Sequence, residues 1–444
     1  MEDQHVQESL DQEQMEEFRH EYLMMHPYNQ GQFFQKQQKD NRLLIYYYLS
    51  PGEIADIMEH IDVEDTKIYF KEMDPQFASA VFTDMPADDA VDILNELDKD
   101  MVASFLTIMD KTAAEEVKAL LHYEEKTAGS IMTTEYIAFM KHETVQEAMH
   151  TLKVNAPDAE TIYYLYVLHE DQQLAGVLSL RDLIVADENV RIEEVMDDQV
   201  FSVSVGRDQE EVAHMLRNYN FLALPVVDFQ NHLLGIITFD DVIDVLDEEA
   251  SDDYSKFAAV SEVQRADDSP LEAAKKRLPW LIILLFLGMF TASLIGRFEA
   301  TLEKVAILAI FIPLIAGMAG NTGTQSLAVA VRGLATGDYG KQGKLKLMIR
   351  EATTGLITGT TCGILITLII YVWKGELFLG ILVGISIMAT LTVATLSGSV
   401  IPIFMDRLNI DPAVASGPFI TTLNDIISIL IYFGIATSFM SYLV

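Results

Sequence analysis

The chain has 444 residues, with 30 Lys and Arg against 67 Asp and Glu, a formal net charge of −37. Such a length holds more than one domain, and so acidic a surface argues against nucleic acid and for divalent cations as partners. The single cysteine, Cys362, excludes an internal disulfide and fits a reducing compartment.

The charge is unevenly spread. Residues 278–444 hold 9 Lys and Arg and 8 Asp and Glu, a net of +1, so residues 1–277 hold 21 and 59, a net of −38. An acidic, water-exposed front and an apolar membrane back are expected. Residues 1–40 are rich in Gln, Glu and His. They predict a flexible tail and not a signal peptide, which leaves the front half in the cytoplasm.

Within residues 41–128, positions 50–121 repeat every 12 residues, from SPGEIADIMEHI and DVEDTKIYFKEM to DKTAAEEVKALL. Most units open with Asp or Ser, often beside Pro, and all close on an apolar residue. Those are N-cap signals before amphipathic turns, so short helices stacked as a superhelix are predicted. Surplus acids at the helix starts, notably Asp88, Asp89 and Asp92, exceed what capping needs and are candidates for a divalent ion.

Residues 129–192 and 193–250 are two copies of one pattern: strand, helix, strand pair, helix. Their ends match, Gly176-Val177-Leu178-Ser179-Leu180-Arg181-Asp182 against Gly235-Ile236-Ile237-Thr238-Phe239-Asp240-Asp241. The doubled pattern resembles a pair of cystathionine-β-synthase (CBS) domains, an α/β module. The resemblance implies binding of ATP or another adenine nucleotide. The family's ribose-binding Ser/Thr-x-x-Asp stands as Ser179…Asp182 and Thr238…Asp241. Arg181 is then placed to meet a phosphate, and Tyr164 and Phe221 to stack on a base.

Residues 251–277 predict an acidic connecting helix that reaches the membrane at Lys275-Lys276-Arg277. Five stretches follow, 278–296, 305–331, 352–373, 377–405 and 412–444, each long enough for about 30 Å of hydrocarbon. Arg332, Lys341, Lys344, Lys346 and Arg350 load the second-to-third loop, so the positive-inside rule puts that loop in the cytoplasm and the C-terminus outside. Two spans carry polar centres. One is Gly320-Asn321-Thr322-Gly323-Thr324-Gln325-Ser326; the other runs Pro418…Thr421-Thr422…Asp425. An acid inside a span costs roughly 2.5–3.5 kcal/mol on insertion scales and usually faces a partner or a polar cavity.

The order of parts, with those two motifs and Asp411-Pro412-Ala413, resembles the MgtE family of magnesium channels and transporters over about residues 40–444. The fold expected is multidomain: an α-helical repeat superhelix, an α/β CBS pair and an all-α membrane domain of five transmembrane helices. The resemblance implies a homodimer in the cell membrane that passes Mg2+ passively, with Asp425, Asn321 and Thr421 at a pore ion site. It also implies regulatory Mg2+ that holds the pore shut at Asp88, Asp92, Glu210, Asp241, Asp244, Glu249, Asp252 and Asp253. Ala319 and Thr324 stand where the family often has Gly and Asn, which bears on ion choice. No G-x-x-x-x-G-K-[ST], H-E-x-x-H or G-x-S-x-G motif occurs, so no enzyme is expected. The alternatives are transport of another divalent cation, such as cobalt or manganese, or a membrane-anchored nucleotide sensor.

Overall fold

The computed structural model describes residues 2–261, 269–335, 341–408 and 410–442. The chain forms two compact units, Met1–Asp247 and Glu248–Val444.

The first unit begins with α1 (Glu2–Asp11), α2 (Met15–Leu23), α3 (Pro27–Gln35) and α4 (Lys39–Tyr48). Residues 1–40, expected to be flexible, are therefore helical from residue 2. Polar composition hid a sparse apolar set: Val6, Leu10, Phe18, Tyr22, Phe33 and Phe34 are all buried in the core of the repeat domain. Phe18 stacks on Tyr22 with ring centroids 5.0 Å apart. Arg19 clamps Glu53 through two hydrogen bonds, of 2.7 and 2.9 Å. Such a core offsets the ordering entropy that a polar tail would not.

The 12-residue repeat becomes α5 (Pro51–Met58), α6 (Val63–Glu72), α7 (Pro75–Asp84), α8 (Ala87–Asn95), α9 (Lys99–Ile108) and α10 (Lys111–Leu120). Their N-cap positions are Ser50, Asp62, Asp74, Pro86, Asp98 and Asp110, in step with the period. Ser50 and Glu53 complete a capping box, which satisfies two orphan amides at once.

The duplicated region follows. Its first copy is β1 (Ala138–Met140), α11 (Val145–Asn155), β2 (Tyr164–Leu168), β3 (Leu174–Ser179) and α12 (Leu180–Val185). After α13 (Ile192–Val195), the second is β4 (Val203–Ser204), α14 (Gln209–Tyr219), β5 (Ala223–Val227), β6 (Leu233–Thr238) and α15 (Phe239–Phe257). The sheets are β1-β2-β3 and β4-β5-β6, each with one parallel and one antiparallel pairing. The copies exchange their leading segments: Thr133 pairs with Ile236, and Asp197 with Val177. Gly176 and Gly235 make that exchange possible. A Cβ at Gly176 would lie 2.6 Å from Met196 Sδ, and one at Gly235 would lie 2.5 Å from the Thr133 carbonyl.

The second unit holds the end of α15, then α16 (Pro270–Gly296), α17 (Glu299–Lys304), α18 (Ile312–Ala335), α19 (Lys341–Lys374), α20 (Leu377–Arg407) and α21 (Gly417–Ser438). The expected connecting helix over 251–277 is not one element. Residues 251–257 finish α15 and 270–277 begin α16, while 262–268 lie outside the described residues. The Lys341 side chain and residues 443–444 also lie outside them. Among the described residues, five helical segments are long and apolar enough to span a membrane, at Pro270–Gly296, Ala306–Ala335, Gly343–Lys374, Leu377–Arg407 and Gly417–Ser438. α19 and α20 pack closely because Gly359, Gly363, Gly380 and Gly384 present no side chain to the facing backbone. By contrast, α16 has no buried residue.

Candidate functional site

In the first unit, carboxylates from distant parts of the sequence converge. Asp88 and Asp89 open α8, Glu59 follows α5, Glu160 precedes β2, and Asp240 and Asp241 open α15. Burial pushes Asp88 up to about 6, and Asp241 and Glu135 add to it. Burial, then Asp88, Glu59 and Asp92, push Asp89 to about 9. Glu59 and Glu160 rise to about 7, again by burial first and neighbouring carboxylates second. Asp241 and Asp244 are raised as well, each by burial and then by Asp240 among the charges.

Asp88 Oδ1 is buried with no hydrogen-bond partner. An orphan carboxylate oxygen amid like charges is costly, and a cation relieves both problems. The donors are hard oxygens. Among the described residues, no three His, Cys, Asp or Glu side chains form a direct metal-holding group. A hard ion that keeps its waters, such as Mg2+, fits that donor set better than a bare soft metal.

Of the eight regulatory acids expected, Asp88, Asp92, Asp241 and Asp244 share this cluster. Glu210 instead pairs with His214, 3.5 Å away on the same helix. Glu249, Asp252 and Asp253 gather in the second unit around Asp411 and Lys256. There Asp253 is pushed up to about 6 by burial and by Asp411. Glu59, Glu160 and Lys256 were not singled out from sequence, because only the tertiary fold brings them to these acids.

The duplicated domains offer a cleft of about 420 Å³ lined by Tyr164, Ser179, Asp182, Asp197 and Asp198 with Val177, Val195 and Met196. Ser179 caps α12: its Oγ accepts from the Asp182 N–H at 3.1 Å and lies 2.5 Å from Asp182 Oδ2. Arg181 is exposed beside it. At the matching end of the second copy, the Thr238 hydroxyl and N–H both donate to Asp241 Oδ2, at 2.6 and 3.1 Å, but Asp241 belongs to the acid cluster and neither lines this cleft. Phe221 does not line it either. It stacks on Tyr219 and leans on Phe201, with centroids 5.5 Å away in both cases.

In the second unit, α18, α20 and α21 form the polar centre. Asn321 and Gln325 are exposed, four residues apart on one face of α18. Asp425 is half-buried on α21. Thr421 is held against α18: its Oγ1 is 3.2 Å from Thr324 Oγ1, and a Cβ at Gly320 would sit 2.6 Å from Thr421 Cγ2. Asp411 caps the turn before α21, accepting from the Ala413 N–H at 2.8 Å.

These features recur in known proteins. The family model for MgtE, a divalent cation transporter, matches residues 312–435; the MgtE intracellular N domain matches 25–126; CBS domains match 128–189 and 192–248. The chain is 51% identical over 98% of its length to the magnesium transporter MgtE of Enterococcus faecalis (strain ATCC 700802 / V583), covering 97% of that protein. It is 41% identical over 94% of its length to the magnesium transporter MgtE of Bacillus subtilis (strain 168), covering 92% of it. A crystal structure of the cytosolic domain of the Mg2+ channel MgtE in complex with ATP superposes with a TM-score of 0.53 at 36% identity, covering 55% of this chain and 99% of that one. An identity of one half along almost the whole chain leaves no room for another assignment: this chain belongs to the MgtE family.

Proposed function

We propose that this protein is a homodimeric channel for passive Mg2+ uptake across the cell membrane, closed by Mg2+ on its cytoplasmic acids. The carrying observation is Asp425, a half-buried carboxylate in an otherwise uncharged candidate span. The exposed amides of Asn321 and Gln325 on α18 support the same reading, since polar groups at membrane depth must face water or a partner. That α16 has no fully buried residue supports a second copy or lipid against it. In this reading Asp425, Asn321 and Thr421 supply hard oxygens to an ion that dehydrates reluctantly.

Closure is a population shift. Cations that neutralise the cluster around Asp88 and Asp241 stabilise the arrangement in which those acids are close. α15 is continuous from the second CBS copy to Phe257, so it is the element through which that shift passes. The N-terminal domains lie in the cytoplasm and the C-terminus outside, with ATP or another adenine nucleotide in the Ser179–Asp182 cleft.

Flux into proteoliposomes tests this. Wild type should pass Mg2+ at low cytoplasmic-side magnesium and close at millimolar levels, and Asp425→Ala should abolish the current. Equal flux with and without Asp425 would sink the pore reading. Cobalt or manganese outcompeting Mg2+ would favour the alternative cargo.

A further inference from the structure

Asn424 precedes Asp425, is 1% exposed, and sits on the buried face of α21 between Ile420 and Ser428. Leu or Ile would fill such a position without a polar cost. Three helices meet at this side chain. Ser397 Oγ of α20 lies 2.6 Å from its Oδ1. On α18, a Cβ at Gly323 would run into its amide nitrogen. Gly398 of α20 in turn leaves room for the Gly323 carbonyl.

The hydrogen bonds around Asn424 do not balance with the amide in that sense. Ser397 has one proton, yet its Oγ is within bonding distance of both Asn424 Oδ1 and the Ala394 carbonyl, at 2.6 and 2.9 Å. Meanwhile Asn424 Nδ2 is buried with no partner. Turning the amide end for end repairs both faults. Nδ2 then donates to Ser397 Oγ, Ser397 donates to Ala394, and Oδ1 faces the Gly323 Cα–H, a weak donor.

We propose that Asn424 is a positioning residue for ion passage: its amide, bonded to Ser397 and seated on Gly323, fixes the rotation of α21 that aims Asp425. Successive helix residues are about 100° apart, so pinning Asn424 in the α18–α20 groove sets where the next carboxylate points. A carboxylate displaced by a fraction of an ångström binds a semi-hydrated ion less well and discriminates less between ions. This proposal rests on the reading of Asp425 as the ion site.

The test uses the full-length protein in proteoliposomes, with Mg2+ and Ca2+ as the probes and thermal unfolding in detergent as the fold control. Asn424→Leu is the direct variant; Ser397→Ala is the second, since it keeps the helix and nearly the volume. Both should raise half-saturating Mg2+ by about tenfold and lower the preference for Mg2+ over Ca2+ by a similar factor. Ser397→Thr, which keeps the hydroxyl, should restore both. A folded Ser397→Ala protein with wild-type half-saturation and preference would overturn the proposal, even if its unfolding temperature fell. Asp425→Asn separates the two readings. If it shifts half-saturation while the Ser397 and Asn424 variants do not, the ion site stands and the positioning role fails. If it shifts nothing, both fall.

Discussion

Lys256 Nζ lies 2.6 Å from Asp411 Oδ2, joining the end of α15 to the turn that starts α21. The same ammonium is 2.9 Å from Asp252, so one lysine serves two carboxylates, while Asp253 beside them is held up near 6. Lys256 thus takes, with its own charge, the place a cation would take among these acids. Asp252, expected as a magnesium ligand, is engaged by it.

Removing that charge should expose the repulsion it masks. In Lys256→Met the metal-free protein should unfold at a lower temperature, by an amount fitting an ion pair of about 1 kcal/mol. Millimolar Mg2+ should then recover more stability than it adds to wild type, because Asp252, Asp253 and Asp411 become available to it. Thermal unfolding of both proteins with and without Mg2+ measures this; identical magnesium shifts would contradict it.

The acid cluster predicts a pH dependence of definite sign. Asp88, Glu59 and Glu160 have folded values of about 6 to 7, above those of free carboxylates. A carboxyl raised in the folded state binds more protons there, so its stabilising contribution is full below its unfolded value. That contribution is lost as pH rises through the folded value, here from about 4 to about 7 for these three and on to about 9 for Asp89. Without divalent ions, stability should fall across that window. Magnesium binds the deprotonated form, so its stabilising shift should be small at pH 5 and large at pH 8. Asp88→Asn should flatten the metal-free decline and shrink the magnesium shift. Unfolding curves at both pH values, in chelator and in Mg2+, decide it.

Two glycines of α18, Gly317 and Gly323, should differ in their tolerance of a methyl group. At Gly323 a Cβ collides with Asn424, whereas at Gly317 nothing lies within 4 Å. Gly323→Ala should destabilise the membrane unit by roughly 1–3 kcal/mol, the usual cost of overpacking. Gly317→Ala should leave the unfolding temperature unchanged or slightly higher, since helical glycine is itself unfavourable. Comparable effects at both positions would show that the α18–α21 contact is looser than described.

The sequence disclosed whatever depends on local period. Caps every 12 residues gave α5 to α10, and matched Gly-x-x-Ser/Thr ends gave the duplicated domains. It could not disclose whatever depends on distant meeting points. Phe18, Tyr22 and Phe34 form a core only once α2, α3 and α5 fold together, so their segment looked merely polar. Glu160 lies in a loop with no periodic signal, yet it faces charges from α8 and α15. Asn424 directly precedes Asp425, but only the facing Gly323 and Ser397 distinguish the pinning side chain from the half-buried carboxylate beside it.

The two Ser/Thr-x-x-Asp ends should separate by function although they match in sequence. Asp182 lines an open cleft, while Asp241 lies among the raised carboxylates near Asp88. A carboxylate retains several lone pairs after accepting one hydroxyl, so Asp182 can still take ribose hydroxyls. A hydrogen bond to a charged acceptor contributes about 1.5–3 kcal/mol, roughly ten- to a hundredfold in affinity. Asp182→Ala should therefore weaken ATP binding by that factor and leave the magnesium-induced rise in unfolding temperature intact. Asp241→Asn should do the reverse, sparing ATP affinity and reducing the magnesium effect. Calorimetric titration with ATP, beside unfolding in Mg2+, reads both arms. Loss of both responses in either variant would mean that the cleft and the acid cluster act as one site.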